Sequence, residues 1–298
     1  MMIPNTAGTA APTLRVPADA CDSHLHIYGR KACDSHLHIY DARFPTVVDA
    51  AHALDKATVN EYRRLQKRLG TTRAVIVTPR SYGVDNRVTV DAIEQLGIQN
   101  ARGVAVLRTD TTDAQIQELD DAGIRGIRFS LYTPTHAAAS FDMVEELSHR
   151  VEPFGWHLQL HWTADQFVAH EAMLKRLPSR LVIDHMARLP QPAGIDHPAV
   201  GIMNALLERG RTWVKLSGPY LDSQLGERGQ YRDIDAVPRH WIKIAPERLV
   251  WGSDWPHPTE VIKPDDAKLL DLMSRWTESE AVIKKIFVTN PAALYGFD

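Results

Sequence analysis

Residues 73–107 read RAVIVTPRSYGVDNRVTVDAIEQLGIQNARGVAVL, and this stretch decides the fold. It begins with a short run of β-branched and other apolar residues and continues with a helical pattern that ends at Gly97. A second β-rich run, RGVAVL, closes the stretch. Short runs that are apolar on both faces and alternate with helices are typical of parallel strands covered by helices. The stretch therefore predicts a strand–helix–strand unit of an α/β protein.

The same alternation of short β-rich runs and helical patterns continues to the end of the chain. Further strands are predicted at residues 124–131, 156–162, 180–185, 212–218 and 248–254. A strand that contains a His-x-His motif precedes all of these, which brings the number of predicted strands to eight. Eight such units favour a single (β/α)8 TIM barrel over an open sheet, and a chain of 298 residues is long enough for one such domain.

The overall charge and composition argue against several functional classes. The net charge of −3 gives no basic field for nucleic acid, and no run of roughly 18 apolar residues could cross a membrane. The N-terminal residues lack the apolar segment of a signal peptide. We therefore expect a cytoplasmic protein, either a monomer or a small homo-oligomer, that acts on a small molecule and contacts neither nucleic acid nor membrane.

The first-strand motif is duplicated. The nonapeptide ACDSHLHIY occupies residues 20–28 and again residues 32–40, so that each copy carries one cysteine and one His-x-His pair. The two cysteines arise from this repeat, and their even number therefore does not indicate a disulfide. One barrel strand needs one His-x-His pair. The pair in the barrel is either His24 with His26 or His36 with His38.

The second copy is the one that we expect in the barrel. A chain terminus tolerates displacement more readily than an active-site loop does, and the second copy keeps its own connection, DARFP, to the rest of the chain. On this interpretation residues 1–31 form an N-terminal arm that contains the surplus copy. Residues 32–298 then form the barrel, with His36 and His38 at its first strand.

Histidines and one aspartate fall at the ends of the predicted strands, where TIM barrels carry their active sites. His161 ends the fifth strand, His185 ends the sixth and Asp254 ends the eighth. Together with the His-x-His pair they suit a zinc site that keeps one position open for water. They also suit a site without metal, in which Asp254 is the general base and the histidines position water and a carbonyl group. Both alternatives remain open at this point.

Arginines form a second group near the predicted strand ends. Arg80 follows the second strand, Arg128 lies on the fourth and Arg188 follows His185 closely. Guanidinium groups recognise carboxylates and sulfonates through paired hydrogen bonds, so these residues are candidates for binding an anionic substrate. Ser217, near the end of the seventh strand, is a further candidate.

Several motifs together resemble the amidohydrolase superfamily. They are GIRGIRF, GWHLQLHW, VIDHMAR, VWGSDWPHP and NPAALYGF, and the similarity extends from about residue 14 to residue 297. Within the superfamily the chain resembles the group that contains 2-pyrone-4,6-dicarboxylate hydrolases and 4-sulfomuconolactone hydrolases. The resemblance implies that Asp254 is the general base and that His185 acts beside it. It also implies that Arg128 and Arg188 hold the anionic groups of the substrate.

The resemblance further implies a cofactor and a substrate class. A bound Zn²⁺ would be held by the His-x-His pair, His161 and Asp254. The dicarboxylate hydrolases carry a tyrosine in place of His161 and an arginine near the position of Tyr220 and Leu221. Both departures favour 4-sulfomuconolactone, whose hydrolysis in aromatic-compound degradation would give maleylacetate and sulfite.

Other reactions remain alternatives to this hydrolysis. The substrate could instead be 2-pyrone-4,6-dicarboxylate or a sugar-acid lactone. The same barrel could carry a decarboxylase or a lactone isomerase, as relatives in the superfamily do. Finally, the duplication could have disabled the site and left an inactive barrel that binds anions.

Overall fold

The computed structural model describes residues 2–28, 32–34, 37–39, 44, 46 and 57–298. Only the backbone is described for residues 32–34 and 37–39 and at position 136. Within these ranges, no helix has the length and apolar character that crossing a membrane requires.

Eight parallel strands form one sheet, which confirms the predicted TIM barrel. Each strand pairs with the next barrel strand along the chain, so the order in the sheet is also the order in the sequence. The strands of the barrel are β1 (Cys21–Leu25), β4 (Arg73–Val77), β5 (Ala101–Ala105), β6 (Ile124–Ser130), β7 (His157–His161), β8 (Arg180–Ile183), β9 (Thr212–Leu216) and β10 (Leu249–Trp251).

Helices follow the strands and cover the outside of the sheet. They are α1 (Val59–Leu69), α2 (Arg87–Leu96), α3 (Asp113–Asp121), α4 (Met143–Val151), α5 (Ala164–Ala169), α6 (Glu171–Arg176), α7 (Ala199–Glu208), α8 (Ala236–Ile244), α9 (Asp266–Trp276), α10 (Glu280–Lys284) and α11 (Asn290–Tyr295). The apolar faces of α1 to α10 are buried with the outer faces of the strands in one continuous core. Leu294 and Tyr295 of α11 instead pack with Val75 and other strand residues in a second cluster. This arrangement leaves the ends of the strands as the place where polar side chains can gather.

Three backbone contacts bring the first and last strands together. The N–H of Asp254 donates to the carbonyl of His24 at 2.9 Å, and the N–H of His26 donates to the carbonyl of Trp255 at 2.9 Å. Leu25 and Trp255 also form a parallel bridge. The segment after β10 is thereby attached to β1, and the residues at these two strand ends become neighbours.

The first copy of the repeat, and not the second, supplies strand β1, so the expected register and the boundary at residue 31 are wrong. The reason lies in the N-terminal arm, which is packed and not free to be displaced. Arg68 donates to the carbonyls of Ala7 and Ala10, and Asp271 accepts the backbone N–H of Leu14 at 2.8 Å. The carbonyl of Ala20 then accepts the N–H groups of Thr72 and of Arg73, the first residue of β4, which fixes the first copy in register.

The second copy forms a separate small sheet. Its backbone makes two short antiparallel strands, β2 (Ala32–Asp34) and β3 (Leu37–Ile39), in which Cys33 pairs with His38. These strands are not part of the eight-stranded sheet. His36 lies outside the described residues, and for His38 only the backbone is described. The surplus copy therefore belongs to the connection between β1 and α1.

Gly252 provides a test of this register. A Cβ atom at Gly252 would lie 2.5 Å from the Cβ of His24 and 2.8 Å from its backbone nitrogen. Because the obstruction includes backbone of β1, we expect Gly252→Ala to lower the free energy of unfolding by roughly 1–3 kcal/mol. Chemical denaturation of the purified variant measures this change.

Gly201 in α7 is the matched control for this substitution. A Cβ atom added there meets nothing within 4 Å, so Gly201→Ala is expected to leave stability unchanged or slightly increased. Equal stability of the two variants would contradict the packing of the first copy against Gly252.

Candidate active site

The histidine of the sixth barrel strand is presented by an unusual backbone segment. The strand β8 ends at Ile183, and His185, Met186, Ala187 and Arg188 all have positive φ angles between 46° and 60°. Asp254, after β10, likewise has φ 62°. Non-glycine residues adopt this conformation rarely, and such residues cluster at functional sites. The segment directs His185 and Arg188 to the same end of the barrel as Asp254.

Three side chains from opposite ends of the sequence converge at this end. The Nε2 atom of His24 lies 3.4 Å from Nε2 of His26 and 3.4 Å from Oδ1 of Asp254. The distance between Nε2 of His26 and the same Asp254 oxygen is 3.7 Å. Any two ligand atoms of a tetrahedral zinc ion are about 3.4 Å apart, given zinc–ligand bonds of about 2.0–2.1 Å. The three atoms are therefore spaced as the ligands of one such ion would be.

His185 completes the cluster. His24, His185 and Asp254 each offer a ligand atom within 4.8 Å of the others. The Nδ1 atom of His26 donates to the carbonyl of Val77 at 2.7 Å, which leaves its Nε2 lone pair directed at the cluster. Nδ1 of His185 lies 2.9 Å from the Ser217 hydroxyl, which can donate or accept, so either tautomer of His185 is satisfied. The structure thus places Ser217, which was predicted to bind the substrate, in contact with His185.

The imidazoles of the cluster are neutral. Burial lowers the pKa of His26 to about 3, and burial lowers the pKa of His24 and of His185 well below the usual value. Neutral imidazole is the form that binds metal. His24, His185 and Asp254 therefore offer a donor set that suits a zinc ion, with His26 beside two of them, and the same residues can also act without one.

Asp254 has the ionisation behaviour of a general base. Burial raises the pKa of its carboxyl group to about 6, while the hydrogen bond that Tyr220 donates at 2.6 Å acts in the opposite direction. A base whose pKa lies close to the working pH transfers protons efficiently. Asp254 is therefore ionised at neutral pH but remains able to accept a proton.

Asp184 is a functional candidate that the sequence motifs did not identify. Its carboxylate is fully buried, accepts a hydrogen bond from Nε of Arg128 at 3.0 Å, and lies 3.3 Å from Nδ1 of His24. Burial alone would raise the pKa of this carboxyl group. The neighbouring side chains of His24, Arg128 and Lys215 outweigh this effect and hold the pKa of Asp184 well below the usual range. A carboxylate behind a histidine fixes the orientation of that ring, as it does behind metal ligands.

His161 lies beside the cluster but is not one of its members. Nη1 of Arg188 approaches its Nε2 at 3.2 Å, and the Ser130 hydroxyl lies 3.1 Å from its Nδ1. A guanidinium group can only donate, so the Nε2 lone pair of His161 is engaged with Arg188. The structure thus places the predicted ligand His161 in contact with an arginine and not with the histidines of β1.

Arg188 is held in place from several directions. Its Nε donates to Asp222 at 2.8 Å, and its guanidinium carbon lies 4.2 Å from the centre of the Tyr132 ring. The His161 ring stacks on Tyr132 with an interplanar angle of 6°. These contacts preorganise Arg188, which is 8% exposed, for binding an anion.

The other two predicted arginines share a pocket. Arg80 and Arg128 line one cavity, together with Thr78, Gly83, Val106, Ser130 and residues 137–139. Arg128 is also paired with Asp184, whereas Arg125 on the opposite face of the strand pairs with Asp120. The sequence-predicted residues Arg80, Arg128, Arg188, His185 and Asp254 therefore all lie near this end of the barrel.

The chain matches known proteins over nearly its whole length. A family model described as amidohydrolase matches residues 21–297, a range that begins with β1 of the first copy. The chain is 30% identical to the 2-pyrone-4,6-dicarboxylate hydrolase of Comamonas testosteroni, over 97% of this chain and 94% of that protein. It is 31% identical to the 4-sulfomuconolactone hydrolase of Rhizobium radiobacter, with the same two coverages of 97% and 94%.

A solved structure shares the fold closely. An apo crystal structure from Agrobacterium tumefaciens superposes with a TM-score of 0.84 at 27% identity, and 99% of each chain is covered. Both curated relatives are named as hydrolases, and the second name specifies a lactone. These names are consistent with the predicted lactonase.

The two copies of the repeat are expected to differ in their importance for activity. His24→Ala with His26→Ala removes two members of the cluster, so we expect turnover to fall by at least about 100-fold. His36→Ala with His38→Ala, the same change in the surplus copy, is expected to leave turnover within about threefold. Steady-state rates of the two double variants provide the comparison. Equal losses would show that the second copy contributes to the site.

The pH dependence reports on Asp254 and on bound metal. In protein treated with a chelator, kcat/KM is expected to fall as the pH drops below about 6, because protonated Asp254 cannot accept a proton. A bound cation favours the carboxylate, so with Zn²⁺ the fall is expected at lower pH. Rates and metal content measured on the same samples test this. A rate that is constant down to about pH 4 without metal would argue against Asp254 as the base.

Proposed function

Because this chain belongs to the amidohydrolase family, as its sequence motifs predicted, we propose that it is a lactonase for a small anionic lactone. One observation carries this proposal. The carboxylate of Asp254, with a pKa of about 6, lies against the neutral imidazoles of His24 and His26 at an end of the barrel that also holds preorganised arginines. A base, groups that position water and cationic groups that hold an anion are thus combined in one place.

The reaction follows from the position of Asp254. Its Oδ1 atom takes a proton from the attacking water, whose oxygen forms a bond to the lactone carbonyl carbon. The bond between that carbon and the ring oxygen then breaks. The ring oxygen receives the proton from Asp254, so that the products are a carboxylic acid and a hydroxyl group.

His185 is suited to the oxyanion that forms during the attack. When Ser217 donates to Nδ1 of His185, the Nε2 atom carries the hydrogen and can donate to the developing negative charge. When Nδ1 donates to Ser217, the Nε2 lone pair is free to hold a metal instead. His24, His185 and Asp254, with His26 beside them, would hold a zinc ion, and the chemistry that such an ion would supply is polarisation of the carbonyl group and acidification of water.

The arginines supply the preference for an anionic substrate. Arg188 is fixed by Asp222, His161 and Tyr132 and still has N–H groups available for a carboxylate or sulfonate. Arg80 and Arg128 line a neighbouring cavity and bring two more guanidinium groups to this end of the barrel. A substrate with negatively charged groups would contact one or both of these places.

We favour 4-sulfomuconolactone as the substrate, with maleylacetate and sulfite as the products. Ring opening leaves the hydroxyl group and the sulfonate on the same carbon. The hydroxyl then loses its proton and becomes the ketone of maleylacetate, while the carbon–sulfur bond breaks and its electron pair leaves with sulfite. The support comes from His161, which is engaged with Arg188, and from Tyr220, which is engaged with Asp254. The dicarboxylate hydrolases that the sequence resembles carry a tyrosine in place of His161 and an arginine near the position of Tyr220 and Leu221. The tyrosine hydroxyl at position 220 provides no cation for a second carboxylate.

A comparison of substrates tests the proposed reaction. Acid and sulfite release are measured with 4-sulfomuconolactone, and acid release with 2-pyrone-4,6-dicarboxylate and with an uncharged lactone. We expect stoichiometric acid and sulfite from the first substrate and little reaction of the uncharged lactone. Asp254→Asn, which keeps the shape of the side chain but removes the base, is expected to lower kcat by at least about 100-fold.

Other products would contradict the proposal. Release of carbon dioxide would identify a decarboxylase, and a rearranged lactone without acid release would identify an isomerase. Binding of the anionic lactones without turnover would identify an inactive barrel. In that case, deletion of one 12-residue unit of the repeat, which leaves a single ACDSHLHIY, would show whether the duplication is the cause.

A further inference from the structure

A line of buried polar groups leads away from the second oxygen of Asp254. The hydroxyl of Tyr220 donates to Oδ2 of Asp254 at 2.6 Å and also lies 2.9 Å from Nδ1 of His257. The other ring nitrogen of His257, Nε2, lies 3.2 Å from each carboxylate oxygen of Asp266. We refer to Tyr220, His257 and Asp266 together as the Asp254 support.

The Asp254 support joins three separate segments of the chain. Tyr220 belongs to the short turn Pro219–Leu221 after β9, His257 follows β10, and Asp266 is the first residue of α9. His257 and Asp266 are fully buried, and Tyr220 is partly buried. Asp266 is itself held, because its N–H donates to the hydroxyl of Thr6 at 3.2 Å. The far end of the support is therefore anchored in the packed part of the molecule.

The side chain of Asp254 needs contacts that fix its direction, because its backbone lies outside the strand and only one of its two carboxylate oxygens faces the histidines. With φ at 62° it lies outside the strand, so the sheet does not dictate the direction of its side chain. Its Oδ1 atom faces His24 and His26 at 3.4 and 3.7 Å. The Tyr220 hydroxyl occupies Oδ2 and thereby determines that Oδ1 is the oxygen presented to the site.

We propose that Tyr220 and His257 are positioning residues for the general base, with His257 held by Asp266 and Tyr220 held by His257. This proposal rests on the proposed lactonase function for its kinetic test, but the contacts on which it depends belong to the protein alone. Neither residue reaches the reacting atoms. Their effect is to keep one carboxylate oxygen aligned for proton transfer, where small misplacements of a base are costly.

Tyr220→Phe is the first test. It removes the hydrogen bond to Asp254 and retains the ring, so we expect kcat to fall roughly 10- to 100-fold while KM changes less than about threefold. Tyr295→Phe is the matched control, because the buried Tyr295 hydroxyl has no hydrogen-bond partner among the described residues. The control is expected to keep kcat within about twofold.

Variants of His257 test whether the support acts as a unit. His257→Leu is expected to lower kcat about as much as Tyr220→Phe does. The double variant is expected to be no worse than either single one, because both remove the same alignment of Asp254. His257→Asn retains an amide group near the position of Nδ1 and is expected to recover part of kcat. Fully additive losses, or no recovery with asparagine, would contradict the coupling of the two residues.

A measurement that does not require turnover separates this inference from the proposed function. Ring ¹⁵N resonances of His24 and His26 report on the Asp254 oxygen beside them, and they can be assigned from single His→Gln variants. We expect these resonances to move in Tyr220→Phe and to stay in place in Tyr295→Phe. If they move while the wild-type protein hydrolyses no lactone, the proposed function fails and the positioning role stands. Unchanged resonances in Tyr220→Phe would overturn the positioning role.

Discussion

The hydrogen bond from the N–H of Asp254 to the carbonyl of His24 is the contact on which the site depends. It attaches the segment after the last barrel strand to the first strand. The contact that closes the barrel therefore also brings Asp254 next to His24 and His26. The base and the imidazoles lie more than 200 residues apart in sequence. They meet because parallel strands with helical crossovers bring every strand end to one edge. Any change in the register of β1 would therefore move His24 and His26 away from Asp254.

Burial of charge is the second constraint, and it is met by pairing. Asp184 lies in the interior with Arg128, and Lys215 donates to the carbonyl of Ser23 at 2.8 Å and to Gln159 at 2.7 Å. An unpaired charge in this place would cost several kcal/mol of folding free energy. Removal of one partner is therefore strongly destabilising, although the intact pair adds little net stability. The paired groups surround His24 and orient its ring. The same interactions that make the buried charges tolerable thus also prepare the site.

The sequence allowed the barrel to be predicted, and it also allowed most of the candidate residues to be placed at one end of it, because both follow from periodicity. Apolar runs alternating with helices imply parallel strands, and polar residues at their ends imply a shared edge. The backbone around His185 could not be predicted in this way, since DHMAR contains no glycine to signal positive φ angles. Asp184 was missed because it directly precedes His185, and the sequence pattern drew attention to the histidine alone. The available signal was that two polar residues in succession, Asp184 and His185, end a buried strand. The engagement of His161 with Arg188 depends on tertiary contacts that no local pattern records.

The repeat shows most directly where local reasoning ends. In the first copy, Cys21–Leu25 form a strand of the parallel barrel, whereas in the second copy the described residues, 32–34 and 37–39, form a small antiparallel sheet. Propensity and hydrophobic pattern are identical for the two copies, so neither can decide between them. What differs is the chain on either side. The first copy follows an arm that Arg68 and Asp271 hold against the barrel. Because the arm is held there, the first copy pairs with β4 in register. The position of a strand in this fold is therefore set by how its flanking segments are anchored, and the His-x-His pair becomes part of a site only through that anchoring.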